Sequence, residues 1–264
     1  MKRIKKWIAL LLSAALLCLA ACAAQEQPAP DPISEAAGSS TEQSKPASSK
    51  GDSEGILPGI TTENFPQIDG STANLPLMAE VYSRVCGVPL VDAQPSVSEA
   101  RGTSEAWRSL VSGYSDLRLV YEAPETVRQE LEDSRVDLEV TPIGRDGLVF
   151  LVNQKNPVDN LTQKQLQDIY TAAVTDWKEV GGDDRPIAAF QRNEESGSQT
   201  LFLKLLMKDL TPMQAPTELR RGMMADLIDA VAAYDGSSEA IGYSVYYYAE
   251  QMYQNPDLKL LAVD

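Results

Sequence analysis

Four residues after Arg192, the run Ser196-Gly197-Ser198 brings two hydroxyls and one side-chain-free position to the start of an expected helix. Arg192 itself closes an expected strand over Pro186–Gln191. The first N–H groups of a helix have no intrahelical acceptor, the terminus carries partial positive charge, and glycine lets a ligand approach the backbone. A guanidinium fork beside such a terminus can share one tetrahedral oxyanion with it. Gly70-Ser71-Thr72, after an expected first strand, and Gly102-Thr103-Ser104, before another expected helix, have the same small-hydroxyl character. Each of the three is also a plain N-cap, which Ser and Thr favour in any helix, and Ser196 with Gln199 makes a capping box. Arg192 is equally suited to a surface ion pair with Glu194 or Glu195.

Catalysis has little to work with. The chain contains no histidine, which removes Ser-His-Asp and Cys-His machinery, the usual zinc ligand sets and the commonest neutral-pH base. No Gly-x-Ser-x-Gly elbow frames Ser71 or Ser196, so neither serine is set up as a nucleophile. No enzyme activity, cofactor or metal is expected. Cysteine occurs at positions 18, 22 and 86, too few for a disulfide framework once the N-terminal pair is set aside.

That pair lies in a segment of another kind. Met1-Lys2-Arg3-Ile4-Lys5-Lys6 is followed by an apolar run from Trp7 to Leu19 and by Ala20-Ala21 before Cys22, the order of basic, apolar and cleavage regions in a secretory signal. The run falls short of the roughly 20 residues that cross a bilayer. Leu19-Ala20-Ala21-Cys22 resembles a bacterial lipobox, which implies removal of residues 1–21 and acylation of Cys22, holding the protein to the extracytoplasmic face of the cell membrane without a span. Cleavage there discards four basic residues and no acid, taking the formal charge from −15 to −19. So acidic a chain is a poor nucleic-acid partner. Residues 22–59, largely Ala, Ser, Pro, Gln, Glu and Gly, read as a lipidated flexible tether.

About 205 residues remain for a folded part. Periodicity predicts strands at Phe65–Asp69, Asp116–Tyr121, Val136–Ile143, Gly147–Val152, Pro186–Gln191, Ala240–Tyr243 and Leu258–Val263. Helices are expected at Ala73–Cys86, Glu105–Ser112, Glu125–Ser134, from Leu161 onward, and at Gln199–Lys208, Met223–Tyr234 and Val245–Tyr253. Pro76 removes a backbone donor one turn into the first helix, so that start is expected to be irregular. Thr162 and Gln165 form a capping box, with Leu161 and Leu166 as a hydrophobic staple. Such alternation predicts an α/β architecture with mainly parallel sheets, in which Leu148–Val152 is a buried strand connecting two lobes.

Arg192-x-x-x-Ser196-Gly197-Ser198, preceded by Asn156-Pro157-Val158, Leu161-Thr162, Gln165-Leu166, Ile169-Tyr170 and Trp177-x-x-x-Gly181-Gly182, resembles the phosphate-binding proteins of bacterial ABC importers, the PstS-like family. Gly70-Ser71-Thr72 and Ala240-Ile241-Gly242-Tyr243 extend the likeness, which is thin between Val88 and Arg145. The resemblance implies a two-lobed periplasmic-binding-protein-like fold, with lobe I over 60–146 and lobe II over 147–264, closing on an oxyanion. It implies a phosphate site of Ser71, Thr72, Arg192, Ser196, Gly197 and Ser198, with Thr103 or Ser104 as weaker candidates. Glu122, in Tyr121-Glu122-Ala123-Pro124, stands for the family's Asp-Ala-Pro carboxylate and would accept the proton that monohydrogen phosphate carries and sulfate lacks.

The implied partners are inorganic phosphate and the permease and ATPase subunits of an importer, served by a monomer. Three positions depart from the family pattern. Ser198-Gln199 replaces a threonine-led pair, Thr171-Ala172-Ala173 stands where a glycine is usual and suggests a reshaped turn, and the chain stops at Asp264 where relatives run on into lobe I. That last departure implies a first lobe short of its closing elements. A sensory or adhesive surface lipoprotein of the same fold is the competing reading, with Tyr243, Tyr246, Tyr247, Tyr248 and Tyr253 offered either to a partner or to the core.

Overall fold

A computed structural model describes residues 55–97, 100–233 and 239–264. The expected signal, Cys22 and most of the tether lie outside the described residues. Residues 55–59, the end of the expected tether, lie against the first long helix: the Ile56 N–H donates to the Arg84 carbonyl at 3.0 Å. Among the described residues no helix is long and apolar enough to cross a membrane.

The apolar run after Gly147 forms strand β3 (Leu148–Asn153), with four of its six residues buried. It is an inner strand of a four-stranded sheet. Strand β8 (Ala240–Val245) pairs antiparallel along β3 from Leu148↔Val245 to Val152↔Ile241, and β9 (Leu258–Leu260) pairs antiparallel on its other edge. Strand β5 (Ala188–Ala189) joins β8 in parallel. Three two-stranded ladders are parallel: β1 (Ile68–Gly70) with β2 (Leu117–Leu119), β4 (Asn160–Leu161) with β10 (Ala262–Val263), and β6 (Gln191–Arg192) with β7 (Arg220–Arg221). The α/β architecture with mainly parallel pairing is therefore present, around a mixed central sheet. A continuous apolar run reports burial on both faces and says nothing about strand direction.

Phe150 and Tyr243 of this sheet pack with Tyr170 and Phe202 in one aromatic nest. The Phe202 and Tyr243 rings stack at 4.4 Å, and Tyr170 meets Phe202 edge-on at 4.7 Å. Trp177, Leu161, Leu166, Ile169 and Met207 complete this core. The helix Gln163–Tyr170 starts as expected, with both halves of the Thr162/Gln165 capping box made. The other motif residues of this half are structural. Asn156 Oδ1 accepts from the Val158 N–H, Trp177 Nε1 donates to the Glu239 carbonyl, and Gly181 ends its turn at φ 92°.

Several expected boundaries move, each for a local reason. Pro76 displaces the regular helix to Leu75–Cys86 behind a 3-10 turn at Thr72–Asn74. The helix expected from Gln199 begins at Gly197 and widens to π geometry over Phe202–Met207. Strand β8 extends through Val245, so the helix expected from there is a π turn at Tyr248–Met252. Strand Leu258–Val263 divides at Leu261, where the chain leaves β3 for β4. Pro186–Gln191 divides likewise into β5 and β6 around buried Phe190.

Val136–Ile143 is not a strand. Among the described residues nothing pairs with it, and Val136, Val140 and Ile143 are 41%, 67% and 67% exposed. A strand exists only through its ladder, and apolar alternation without a neighbouring edge does not make one. In Thr171-Ala172-Ala173, Ala172 adopts φ 61°. This is a left-handed conformation that a glycine would take without strain, here borne by an alanine.

Candidate oxyanion-binding site

Short elements of both lobes deliver the hydroxyls. Ser71 follows β1 at the N-cap position of the Thr72–Asn74 turn, but its side chain makes no cap. Its Oγ lies 2.9 Å from Thr103 Oγ1, and both residues are buried. Thr103 and Ser104 open the helix Thr103–Val111, whose N-cap is Gly102 at φ 85°, with no side-chain cap on the first turn. Ser104 Oγ donates 2.6 Å to the Glu195 carbonyl of the second lobe.

From the second lobe, Ser196 is the N-cap of the Gly197–Leu201 helix, and its Oγ accepts from the Gln199 N–H at 3.0 Å. The reciprocal half of the expected capping box is not made, because Gln199 Oε1 accepts instead from the buried Tyr243 hydroxyl. That hydroxyl in turn accepts from the Arg192 backbone N–H at 3.0 Å. Ser196 Oγ and Ser198 Oγ are 3.3 Å apart. As the first helical residues, Gly197 and Ser198 have N–H groups with no intrahelical acceptor.

At Gly197 the second lobe packs tightly against the first. A Cβ there would stand 2.4 Å from Thr103 Oγ1 and 3.2 Å from the Tyr121 ring. Close approach, with no demand on φ, is what requires glycine here.

Arg192 is 8% exposed, which excludes the surface ion pair. Nη2 donates to the Gly222 carbonyl at 2.8 Å, Nε to the Arg221 carbonyl at 3.2 Å, and Nη1 to Ser198 Oγ at 3.3 Å. Among the described residues no carboxylate lies within ion-pairing distance of it, and Glu195 is engaged by Arg108 instead. Burial lowers the Arg192 pKa, with Tyr243, Asp226 and Tyr248 opposing the shift. Arginine nevertheless remains protonated. The direct partners of this buried cation are all neutral oxygens, none of which offsets its charge.

The structure thus brings together Ser71, Thr103, Ser104, Arg192, Ser196, Gly197 and Ser198. Thr72, next to Ser71 in the chain, is half-buried. Glu122 is not among them: it is exposed, and both of its oxygens are held by Lys204 at 2.5 and 2.6 Å. The sequence reading missed Tyr121, whose hydroxyl donates to Asp146 at 2.9 Å and whose ring closes over Gly197. It also missed Trp107, which fixes the Tyr121 carbonyl through Nε1 at 3.1 Å. Of the tyrosine run, Tyr243 and Tyr248 are buried and Tyr246 and Tyr247 exposed. Among the described residues no group of three His, Cys, Asp or Glu converges as metal ligands would.

A phosphate-binding protein PstS of Staphylococcus epidermidis is 28% identical over 167 residues, covering 61% of this chain and 48% of its own length. A PstS of Staphylococcus aureus is 26% identical over 184 residues, covering 67% and 53%. The chain spans about half the length of these curated relatives. Among solved structures, a substrate-binding protein from Clostridium perfringens, provisionally ascribed to phosphate ABC transport and solved with phosphate bound, aligns with TM-score 0.55 at 25% identity, covering 75% of this chain and 74% of that one. A phosphate-binding protein from Stenotrophomonas maltophilia shares the fold with TM-score 0.51 at 13% identity, covering 74% and 63%. A family profile described as PBP superfamily domain matches residues 36–255, and the chain belongs to that family.

Proposed function

We propose that this protein is an extracytoplasmic solute-binding protein that closes its two lobes on inorganic phosphate and passes it to the permease and ATPase subunits of an ABC importer. The observation that carries the reading is the buried Arg192 guanidinium, without a carboxylate in contact, beside hydroxyls drawn from both lobes. An anion entering there meets one fixed positive charge, the backbone N–H groups of a helix start, and hydroxyls that can donate or accept. These groups are local donors in a chain of net charge −15. Selection therefore rests on short-range contacts, with the global acidic field screened by salt.

The phosphate ligands proposed are Ser71, Thr103, Arg192, Ser196, Gly197 and Ser198, with Thr72 and Ser104 supporting them. Glu122, tied to Lys204 at the surface, stands outside this set, so discrimination against sulfate falls to the hydroxyls. A phosphate proton needs an acceptor, and a serine or threonine oxygen supplies one. Nothing in this arrangement activates a nucleophile, in keeping with reversible binding and no turnover.

Attachment through lipid on Cys22 would keep the binding lobes at the outer face of the membrane, as a monomer. Calorimetric titration with phosphate, sulfate and arsenate tests the binding reading. One phosphate per chain is expected, and a folded sample that binds none overturns it. Replacing Cys22 with serine is expected to release the protein from the membrane fraction.

A further inference from the structure

Beside the anion site, but not part of it, one arginine gathers three carboxylates. Arg108, on the Thr103–Val111 helix, donates to Glu105 at 2.9 Å within its own helix. It also donates to Glu130 through Nε at 2.8 Å and Nη2 at 2.9 Å. Both of these acids belong to the first lobe. The third, Glu195, belongs to the second lobe, and Arg108 grips it with both ends of its fork, Nη1 to Oε2 at 2.9 Å and Nη2 to Oε1 at 2.8 Å. Glu195 immediately precedes Ser196, and its own carbonyl accepts the Ser104 hydroxyl at 2.6 Å. The residue before the anion-loop serine is therefore fastened twice to the helix that carries Thr103.

We infer that Arg108 is a positioning residue for anion binding: its two-pronged pairing with Glu195 latches the second-lobe loop Glu195–Ser198 against the start of the first-lobe helix. The inference deepens the phosphate reading above and rests on it for its ligand. Arg108 touches no proposed ligand group, so it acts through Glu195. A guanidinium already neutralised by Glu105 and Glu130 does not need a third acid for charge balance, and the one added comes from the opposite lobe. The bidentate geometry fixes orientation as well as distance. Glu195 and Glu130 are both held below the usual carboxylate range, first of all by their hydrogen bonds to Arg108, which keeps the latch ionised. The side chains remain partly exposed, so the latch is a modest bias on closure, matched to a lobe that must also open.

A double-mutant cycle on the full chain tests this. Phosphate titration is expected to show Arg108→Ala and Glu195→Ala each weakening binding about fivefold, with the double variant also about fivefold weaker, because both remove one shared contact. Glu130→Gln, which leaves the cross-lobe fork in place, is expected to stay within about twofold. Multiplying losses in the double variant, or full affinity in Arg108→Ala, would overturn the latch. Small-angle X-ray scattering of the ligand-free chains reads lobe separation independently of phosphate. A larger radius of gyration is expected in either single variant, with no further increase in the double. Should the unaltered chain bind no phosphate, the phosphate reading falls alone and the scattering cycle decides the latch: equal radii in all four chains would overturn it.

Discussion

The two lobes offer the same chemistry on very different foundations. The second has a four-stranded sheet, a contiguous core of fifteen buried residues and a stacked aromatic nest directly behind Arg192. The first has a two-stranded ladder and two small apolar clusters, around Met78 and around Trp107. It leaves Val136, Val140 and Ile143 in solvent. The second lobe accordingly holds the group that is most expensive to bury, a guanidinium, because only a rigid, well-satisfied surround can keep a charge desolvated. The first supplies hydroxyls, which need less support, and it is steadied by what it touches across the cleft.

The sharpest way to break that division of labour is to remove the charge. Arg192→Ala is expected to weaken phosphate binding by about 100-fold or more, equivalent to about 3 kcal/mol, while the circular dichroism of the folded protein is retained. The Arg192 backbone N–H is held by Tyr243 regardless of its side chain, so the strand end stays in place. Calorimetry checks the first expectation and the near-ultraviolet spectrum the second. An affinity unchanged in Arg192→Ala would move the site out of the second lobe altogether.

Next in size is the point of contact between the lobes. Gly197→Ala puts a methyl 2.4 Å from Thr103 Oγ1 and 3.3 Å from Thr103 Cβ, so the threonine rotamer or the backbone must give. Overpacking of this kind costs about 1–3 kcal/mol, here charged to closure alone. Phosphate affinity is expected to fall about tenfold while the melting temperature of the ligand-free protein stays put. An equal loss in both measurements would mean that the lobes do not separate.

How much of this was legible in the sequence follows the same division. The second lobe could be read because its signals are local: the Thr162/Gln165 box, the apolar run at Leu148 and the Arg192-to-Ser198 spacing each declare themselves within a few residues. What failed there depended on distant partners. The Ser196/Gln199 box lost its second half to Tyr243, 44 positions on, and strand 258–263 split because two different strands claim it. In the first lobe the alternation at Val136–Ile143 looked like a strand, yet pairing is a property of two segments and periodicity describes one. Spacing shows neither the contact of Thr103 with Ser71 nor its approach to Gly197. Arg108 and Glu195 are 87 positions apart, so no local pattern links them.

A smaller effect probes how firmly the second lobe is built. Ala172 holds φ 61° at the end of a helix whose Leu166, Ile169 and Tyr170 are buried. A non-glycine residue in the left-handed region costs about 1–2 kcal/mol, partly offset in a glycine variant by the greater freedom of its unfolded chain. Ala172→Gly is therefore expected to stabilise the protein by about 1 kcal/mol in chemical denaturation, with phosphate affinity unchanged, since the turn makes no contact with the site. A destabilised variant would show that the surrounding core prefers the alanine methyl to the relief of strain.

The smallest effect is expected from the first lobe's one candidate charge. A carboxylate that selected monohydrogen phosphate over sulfate would need to face the ligand and be free to accept its proton. Glu122 is more than half exposed and is bound through both oxygens by Lys204, itself more than half exposed. Such surface pairs contribute about 0–1 kcal/mol. Glu122→Gln keeps the shape and removes the charge, and is expected to change phosphate affinity by less than about threefold while leaving the preference over sulfate intact. If instead sulfate binding rises to match phosphate, Glu122 must exchange Lys204 for the ligand on binding, and the first lobe would supply the discriminating group as well as hydroxyls.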